Sequence, residues 1–219
     1  MKFVVQRLRT CASAGESGMT LIEVVVAISL VAIISASAIG LSITSQKGTS
    51  VQQRQELAVT IASEAMEAAN AQSAATNPST GMSYLYQGRT KAKVEAAWMA
   101  NPGVSGLANT YMGWDTAAVV PPAQVLPISK PIVRNGTEYT VFTLIGICYM
   151  PTTSAGGDCT KIAGSDAAPP ATVPADRTAL NRVIVVVRWK AGSGCAASGC
   201  SYQTTTLVDA HDDLLWNTH

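Results

Sequence analysis

Charged side chains are scarce in this chain. Asp, Glu, Lys and Arg make up only 13% of the 219 residues, and the formal net charge is +1. The lysines and arginines are scattered and form no basic stripe, so the sequence gives no sign of a nucleic-acid-binding surface. Aromatic residues are also few, at 5%. This composition favours a β-rich, loop-rich surface protein over an enzyme with a large aromatic-lined core.

The common catalytic and nucleotide-binding motifs are missing as well. The chain has no G-x-S-x-G, no Walker loop, no H-E-x-x-H and no G-x-G-x-x-G. The cluster His211–Asp213 follows the last predicted strand and is interpreted as a solvated polar tail. Asp158 and Asp166 lie in predicted loops and would bind calcium only if other oxygens converged there. We therefore expect no enzymatic activity, no cofactor and no metal.

Five cysteines are present. Cys11 precedes a long hydrophobic run, and four others follow it well downstream: Cys148, Cys159, Cys195 and Cys200. An even set beyond a membrane segment fits an oxidising exterior compartment, although four cysteines allow three pairings. We favour the local disulfides 148–159 and 195–200, because each closes a short loop rich in small residues. Zinc is the competing interpretation, but C-x10-C and C-x4-C without nearby histidines fit it poorly.

The hydrophobic run extends from Met19 to Ile43 and contains a single charge, Glu23. It is long enough to span a bilayer as a helix. An ionised carboxylate is energetically unfavourable in the hydrocarbon of a membrane, so Glu23 in such a segment indicates a functional role. The simplest interpretation is a membrane anchor, and Lys2, Arg7 and Arg9 before it place the N-terminus in the cytoplasm by the positive-inside tendency.

An ordinary secretory signal peptide is the second interpretation. Val24–Ile34 could form its apolar core, and Ala36-Ser37-Ala38 resembles a signal peptidase site. Glu23 beside that core and the unusually long segment before it count against this interpretation.

The third interpretation accounts for Glu23. Residues Gly18–Glu23 (GMTLIE), followed by the unbroken apolar run Val24–Ile43, resemble the N-terminus of type IV prepilins and type II secretion pseudopilins. The resemblance implies a leader of residues 1–18, cut after Gly18 on the cytoplasmic side by a prepilin peptidase that also methylates the new amine of Met19. Glu23 then becomes the fifth residue of the mature chain.

The chemistry of this stretch agrees with the resemblance. Gly18 has no side chain, so an enzyme can approach its backbone closely. The freed amine of Met19 has a reference pKa of about 7.7–8.0 and is largely cationic. When helices pack into a filament, the amine of a neighbouring subunit can neutralise the buried Glu23. Because an unpaired buried charge costs several kcal/mol, the pair penalises a wrong stagger between subunits.

Three departures from the family pattern are visible. Most major pilins have phenylalanine where this chain has Met19, whereas methionine is more familiar in V-type minor pilins and some pseudopilins. Many members have proline at the position of Gly40. The C-terminal disulfide loop of major pilins is not evident, and the small Cys195–Cys200 pair departs from it.

The helical pattern continues beyond the apolar run. Apolar residues recur at three- and four-residue spacing at Val51, Leu57, Ala58, Ile61, Ala65 and Ala68, and Asn77-Pro78 is a stop signal. The predicted organisation is therefore a leader (1–18), a transmembrane or filament-core helix (19–43), its amphipathic continuation (44–76) and a β-rich head (77–219). Residues 76–130 are interpreted as an irregular connection, in which 89–99 could be strand or helix. Its aromatic residues Trp98, Tyr111 and Trp114 are better explained as core anchors than as exposed adhesive groups.

Strand signals dominate the rest of the head. Asn135-Gly136 separates Ile132–Arg134 from Thr137–Tyr149 and is a strong hairpin signal, with Tyr139, Val141, Thr143 and Ile145 on one face. A loop to about Asp176, the strand Asn181–Lys190, a turn at Gly192–Gly199 and the strand Ser201–Val208 follow. The predicted fold class is α+β, with a long N-terminal helix packed on an antiparallel sheet.

These observations predict a structural subunit, a minor pilin of a type IV pilus or related filament. Its expected partners are the prepilin peptidase, other pilin subunits, the assembly platform and the inner membrane before assembly. The expected location is a single-pass membrane protein that moves into an extracellular filament. A type II secretion pseudopilin is the alternative, and a secreted or membrane-anchored binding domain unrelated to filaments is the alternative of another class.

Overall fold

The computed structural model describes residues 19–73, 83–116, 123–152, 157–164, 168–190, 195 and 199–209. The chain divides into two compact units, Met1–Thr49 and Ser50–His219. The first unit contributes the apolar part of a long helix, and the second contains the sheet. Each is described below by itself.

One long helix dominates the N-terminal part. α1 runs over Leu21–Ser73, close to the predicted helix of residues 19–43 with its continuation 44–76. The run from Val24 to Ile43 contains no proline and no charge, so nothing in it interrupts the backbone hydrogen-bond ladder. Among the described residues, α1 is the one helix long and apolar enough to cross a membrane.

The head is built on a five-stranded antiparallel sheet. Its strands, in chain order, are β1 (Tyr111–Met112), β2 (Ser129–Arg134), β3 (Thr137–Pro151), β4 (Arg177–Trp189) and β5 (Cys200–Asp209). β4 lies between β3 and β5, and both β1 and β2 pair with the other side of β3. The α+β fold class with a long N-terminal helix and an antiparallel sheet is thus confirmed.

The predicted hairpin is present between β2 and β3. Asn135 and Gly136 both have positive φ, 48° and 72°, as a two-residue type I′ turn requires. The ladder begins at the pair Arg134 and Thr137 and extends to Ser129 and Phe142. Local turn chemistry therefore sets the register of this pair of strands.

The sheet is covered on both faces within the unit Ser50–His219. On one face α1 packs through small and branched side chains, with Ala58, Ile61 and Ala62 buried against residues such as Val185. On the other face the short helix α2 (Lys91–Met99) and the following loop pack on the alternate residues of β3 and β4. β4 is therefore buried on both faces, which explains its nearly continuous apolar sequence VIVVV.

Several predicted boundaries differ from the structure. Residues 91–99 form a helix, which resolves the ambiguous segment of the connection. β3 and β4 extend to Pro151 and from Arg177, beyond their predicted ends, because each pairs with the other along that whole length. Of the α1 residues predicted to face the core, Ala68 is exposed and Ala69 is buried. The buried side of the helix continues at three- and four-residue spacing from Ala62 to Ala69 through the half-buried Ala65 and Met66.

Some predicted features lie outside the described residues. They are the leader with Gly18 and Cys11, the stop at Asn77-Pro78, Asp166, most of the turn Gly192–Gly199, and the cluster His211–Asp213.

Candidate functional site

The start of α1 places Glu23 at an exposed helix N-terminus. Helix α1 begins at Leu21, directly after Met19 and Thr20, and the carbonyl of Thr20 accepts hydrogen bonds from the backbone N–H groups of Glu23 (3.0 Å) and Val24 (3.3 Å). A carboxylate in the first turn is stabilised by the positive end of the helix dipole. Among the described residues none donates a hydrogen bond to the Glu23 carboxylate or forms an ion pair with it. The helix thus presents one exposed carboxylate in the turn next to Met19.

The surface that follows Glu23 is apolar and uncovered. Large hydrophobic side chains from Leu21 to Ile43 are 40–83% exposed. Exposure of this extent along a whole helix is unfavourable in water and marks a surface that lipid or other protein must cover. The arrangement suits a helix that is embedded in a membrane or in a bundle of similar helices.

Two hydroxyl groups inside the apolar segment are hydrogen-bonded within the helix. Ser29 donates to the carbonyl of Val25 (2.8 Å), and Ser37 donates to that of Ile33 (2.9 Å). Polar groups bonded to their own helix are compatible with an apolar environment. Glu23 differs from them, because among the described residues no group of its own helix donates a hydrogen bond to its carboxylate, and the side chain is exposed.

Both disulfides of the head connect cysteines close in sequence. Cys148 on β3 pairs with Cys159, and their Cα atoms are 5.3 Å apart. Cys195 pairs with Cys200, the first residue of β5. The first bond is buried, and beside it Tyr149 and Thr160 exchange backbone hydrogen bonds of 2.9 and 3.0 Å. The loop that leaves β3 is thus held to the sheet by both a covalent bond and a bridge of two hydrogen bonds.

A buried arginine ties two loops of the head together. The Arg182 guanidinium on β4 donates to the carbonyls of Gly106 (2.8 Å) and Cys159 (2.6 Å) and to the hydroxyl of Thr110 (2.9 Å). Burial lowers the pKa of Arg182, while the charge of the exposed Asp158 opposes that shift. The Asp158 carboxylate, considered above as a candidate calcium ligand, thus interacts electrostatically with the guanidinium of Arg182 in this structure.

A second buried arginine bridges the connection and the sheet. Arg89 is fully buried and donates to the carbonyls of Leu126 (3.2 Å) and Thr143 (2.6 Å). Burial lowers the pKa of Arg89 to about 10. Burial also raises the pKa of nearby Tyr86, whose hydroxyl donates to the side-chain carbonyl of Asn181. These groups hold the irregular segment onto the sheet through specific hydrogen bonds.

A surface hollow of about 570 Å³ lies beside the loop that Arg182 holds. Lys161 is the one charged residue in its lining, and the ammonium lies 5.4 Å from the ring centre of Tyr111. Tyr111 is buried, as predicted for a core anchor. Trp98 and Trp114 are half-buried against the apolar cluster between α2 and the sheet. The rest of the lining is mostly small or apolar, and Ser105 and Thr110 add hydroxyl groups.

The structural roles of Arg89 and Arg182 are not predicted from the sequence. For Arg182 a signal existed, because a charge next to the apolar run VIVVV is as unusual as Glu23 in the N-terminal run. For Arg89 there was no comparable signal, since its flanking residues are polar and aperiodic. The carbonyl partners of both are distant in sequence, and only folding brings them together.

Comparison with known proteins gives one match. The family model described as "Prokaryotic N-terminal methylation motif" matches residues 13–39. No curated protein matches the chain, and no solved structure matches it. The matched residues include Gly18, Met19 and Glu23, the residues from which prepilin-type processing was predicted. This chain therefore carries the prokaryotic N-terminal methylation motif at the start of a long apolar helix, which is consistent with the type IV prepilin and pseudopilin family.

Proposed function

We propose that this protein is a minor subunit of a type IV pilus or a related filament. In this proposal the peptidase removes residues 1–18, methylates Met19 and leaves 19–43 as a membrane helix with a cytoplasmic N-terminus. The same helix then enters the filament core, while the continuation 44–76 and the head 77–219 face outward. The expected role of the protein is that of a structural subunit.

The observation that carries the proposal is the isolated charge of Glu23 at the start of an exposed apolar helix. A plain membrane anchor does not require a carboxylate at this position, although the helix dipole stabilises one there. In a bundle of such helices the carboxylate of one copy can accept hydrogen bonds from the cationic amine of Met19 in another. The matched residues 13–39 include both Met19 and Glu23. Pairing between them would therefore connect the methylation motif with filament assembly.

Two features support the minor-pilin assignment over a major subunit. Met19 stands where most major pilins have phenylalanine. The second disulfide joins Cys195 and Cys200, which are only five positions apart in sequence. The pseudopilin alternative shares Met19 and the same assembly chemistry. Deletion of the gene separates the two: we expect fewer or altered surface pili, and a selective loss of protein secretion would indicate a pseudopilin instead.

The mass of the mature N-terminal peptide from the native host tests the processing step. We expect a chain that begins at Met19 and carries a methylated amine. A chain beginning at Ile39 would instead show cleavage after Ala38 by an ordinary signal peptidase and would overturn the proposal.

A matched pair of leader variants sharpens this test. Gly18→Leu places a side chain at the cut and is expected to block processing, so the leader stays attached. Gly15→Leu makes the same change three residues away and is expected to leave processing intact. Equal processing of both variants would contradict a cut after Gly18.

A further inference from the structure

The disulfide between Cys148 and Cys159 fixes one end of a short loop segment. Residues 157–162, called the cystine loop here, follow the part of the chain that leaves β3. Beyond the disulfide, the N–H of Ile162 donates a hydrogen bond of 3.0 Å to the hydroxyl of Tyr111. The cystine loop is therefore attached to β3 through the disulfide and to β1 through Tyr111.

The same loop completes the surroundings of Arg182. It supplies the carbonyl of Cys159, which accepts a hydrogen bond of 2.6 Å from Arg182, and the nearby charge of Asp158. The two other acceptors of this guanidinium, the carbonyl of Gly106 and the hydroxyl of Thr110, belong to a different loop. A buried cation is stable only when enough acceptors surround it. Arg182 therefore couples the cystine loop to the loop that contains Gly106 and Thr110.

Both loops contribute to the lining of the surface hollow of about 570 Å³. Gly106, Thr110 and Tyr111 line it from one loop and the adjoining strand, and Lys161 lines it from the cystine loop. Gly106 has a positive φ of 82°, and a Cβ atom at this position would lie 3.1 Å from Nη1 of Arg182. Glycine is therefore the residue that permits this close approach. The shape of the hollow thus depends on contacts that the disulfide and Arg182 hold in place.

We propose that formation of the 148–159 disulfide assembles this hollow. In the dithiol form the covalent tether to β3 is missing, and the hydrogen bonds of the cystine loop must order it alone. Arg182 then loses the Cys159 carbonyl and turns towards water, so the loop around Gly106 is released from β4. Oxidation reverses these changes, and the hollow takes its final shape only in an oxidising compartment. This coupling is independent of the filament role.

The redox step is a thiol–disulfide exchange with an external disulfide, either of a protein oxidant or of oxidised glutathione. The thiolate of one cysteine attacks the oxidant and forms a mixed disulfide, and the thiolate of the other displaces the remaining sulfur of the oxidant. The two cysteines lose two protons and two electrons, and the oxidant becomes two thiols. Cys148 and Cys159 are buried in the folded chain. The finished bond is therefore shielded from attacking thiolates, and the oxidised form is retained.

Hydrogen exchange of the full-length chain in detergent, followed by mass spectrometry of its peptides, tests the coupling. Cys148→Ala combined with Cys159→Ala removes this disulfide, whereas Cys195→Ala combined with Cys200→Ala removes the other and is the matched control. In the first variant we expect exchange in residues 104–112 to accelerate by about tenfold or more. The control should stay within about threefold of the wild type there, and α2 should exchange at an unchanged rate in both.

Arg182→Met tests whether the coupling passes through the guanidinium. With the disulfide intact, we expect exchange in residues 104–110 to accelerate, whereas Thr160 stays protected by its hydrogen bond to Tyr149. Adding Arg182→Met to the variant that lacks the 148–159 disulfide should loosen residues 104–110 no further, because both changes break the same series of contacts.

Four results would overturn the proposal. They are unchanged exchange in residues 104–110 after either change, an equal acceleration in the control without the 195–200 disulfide, additive effects of the arginine and cysteine substitutions, and a loss of protection that extends to α2 and β4. The last result would show that the disulfide supports the whole head and does not act on the hollow in particular.

Discussion

The hydroxyl of Tyr139 on β3 donates a hydrogen bond of 3.2 Å to the backbone carbonyl of Arg54 on α1, 85 residues away in sequence. The ring of Tyr139 is fully buried and lies 5.9 Å from that of Trp189, centre to centre. One residue thus takes part both in the core beneath the helix and in a specific polar contact with it. Within the unit Ser50–His219 this contact helps to fix the position of the helix along the sheet.

Tyr139→Phe should weaken the head without disrupting it. The change removes one hydrogen bond and preserves the buried ring, so we expect the free energy of unfolding to fall by about 0.5–1.5 kcal/mol. Chemical denaturation monitored by circular dichroism measures the loss. Tyr202→Phe, on the half-buried β5 position, is the control and should change stability by less than about 0.5 kcal/mol. An equal effect of both substitutions would argue against a role for the contact with Arg54.

Glu23→Ala should separate processing from assembly. Removal of the carboxylate should leave the cut after Gly18 unaffected. In the bundle, however, the Met19 amine of a neighbouring subunit then has no carboxylate to pair with. Because an uncompensated buried charge costs about 3–5 kcal/mol, we expect recovery in sheared filaments to fall by more than about tenfold relative to the membrane pool. Quantitative immunoblotting of the two fractions measures the ratio.

Two further variants specify the cause of the Glu23 effect. Glu23→Gln keeps the shape and removes the charge, so it should also assemble poorly. Glu56→Ala, an exposed position on the second half of α1, should assemble normally. Normal recovery of Glu23→Ala in filaments would refute the pairing with Met19.

Arg182→Ala should lower the free energy of unfolding more than the same change at Arg188, six residues further along β4. Its loss leaves the buried carbonyl of Cys159 without its donor, at a cost of about 1–3 kcal/mol. The carbonyl of Gly106 still accepts a hydrogen bond of 2.7 Å from the Thr110 hydroxyl. Arg188 also donates to a carbonyl, that of Ala100 at 2.8 Å, but in an exposed position. We therefore expect Arg188→Ala to cost less than about 1 kcal/mol. Similar losses for the two variants, measured by urea denaturation, would show that burial of Arg182 contributes little.

The stability of the head should fall at alkaline pH through Tyr86. Burial raises the pKa of Tyr86 above its usual value of 10, so above pH 10 the unfolded chain releases this proton while the folded chain retains it. The contribution of Tyr86 is fully present below pH 10 and decreases above it, with a slope approaching about 1.4 kcal/mol per pH unit. Arg89 acts in the opposite direction, because its pKa is lowered to about 10 and the folded chain releases that proton first as pH rises.

Tyr86→Phe isolates the tyrosine contribution. The variant lacks the hydrogen bond to Asn181 and should be about 1–3 kcal/mol less stable at pH 7. Above pH 10 the difference from the wild type should shrink, because only the wild type continues to lose stability through this group. Urea denaturation at pH 7 and at pH 11 measures both quantities. A difference that stays constant between these pH values would contradict the raised pKa of Tyr86.

Much of the fold follows from local features of the chain. The apolar run after Glu23 predicts a long helix because it lacks breakers, and Asn135-Gly136 predicts the β2–β3 hairpin because both residues tolerate positive φ. The methylation motif is likewise a local pattern, and the family match covers the same segment. Helix α2 was ambiguous because Lys91–Met99 is short and its apolar periodicity is weak.

Short-range signals thus determine the long helix, the hairpin and the processing motif, since their energetics depend on neighbours a few residues apart. The tertiary structure alone decides the full lengths of β3 and β4, which depend on pairing across the ladder. It also decides the burial of Arg89 and Arg182, whose acceptor carbonyls are brought together from distant segments. The position of β5 at the end of the strand order among the described residues has the same origin, because a strand becomes an edge only through the order in which the whole sheet is assembled.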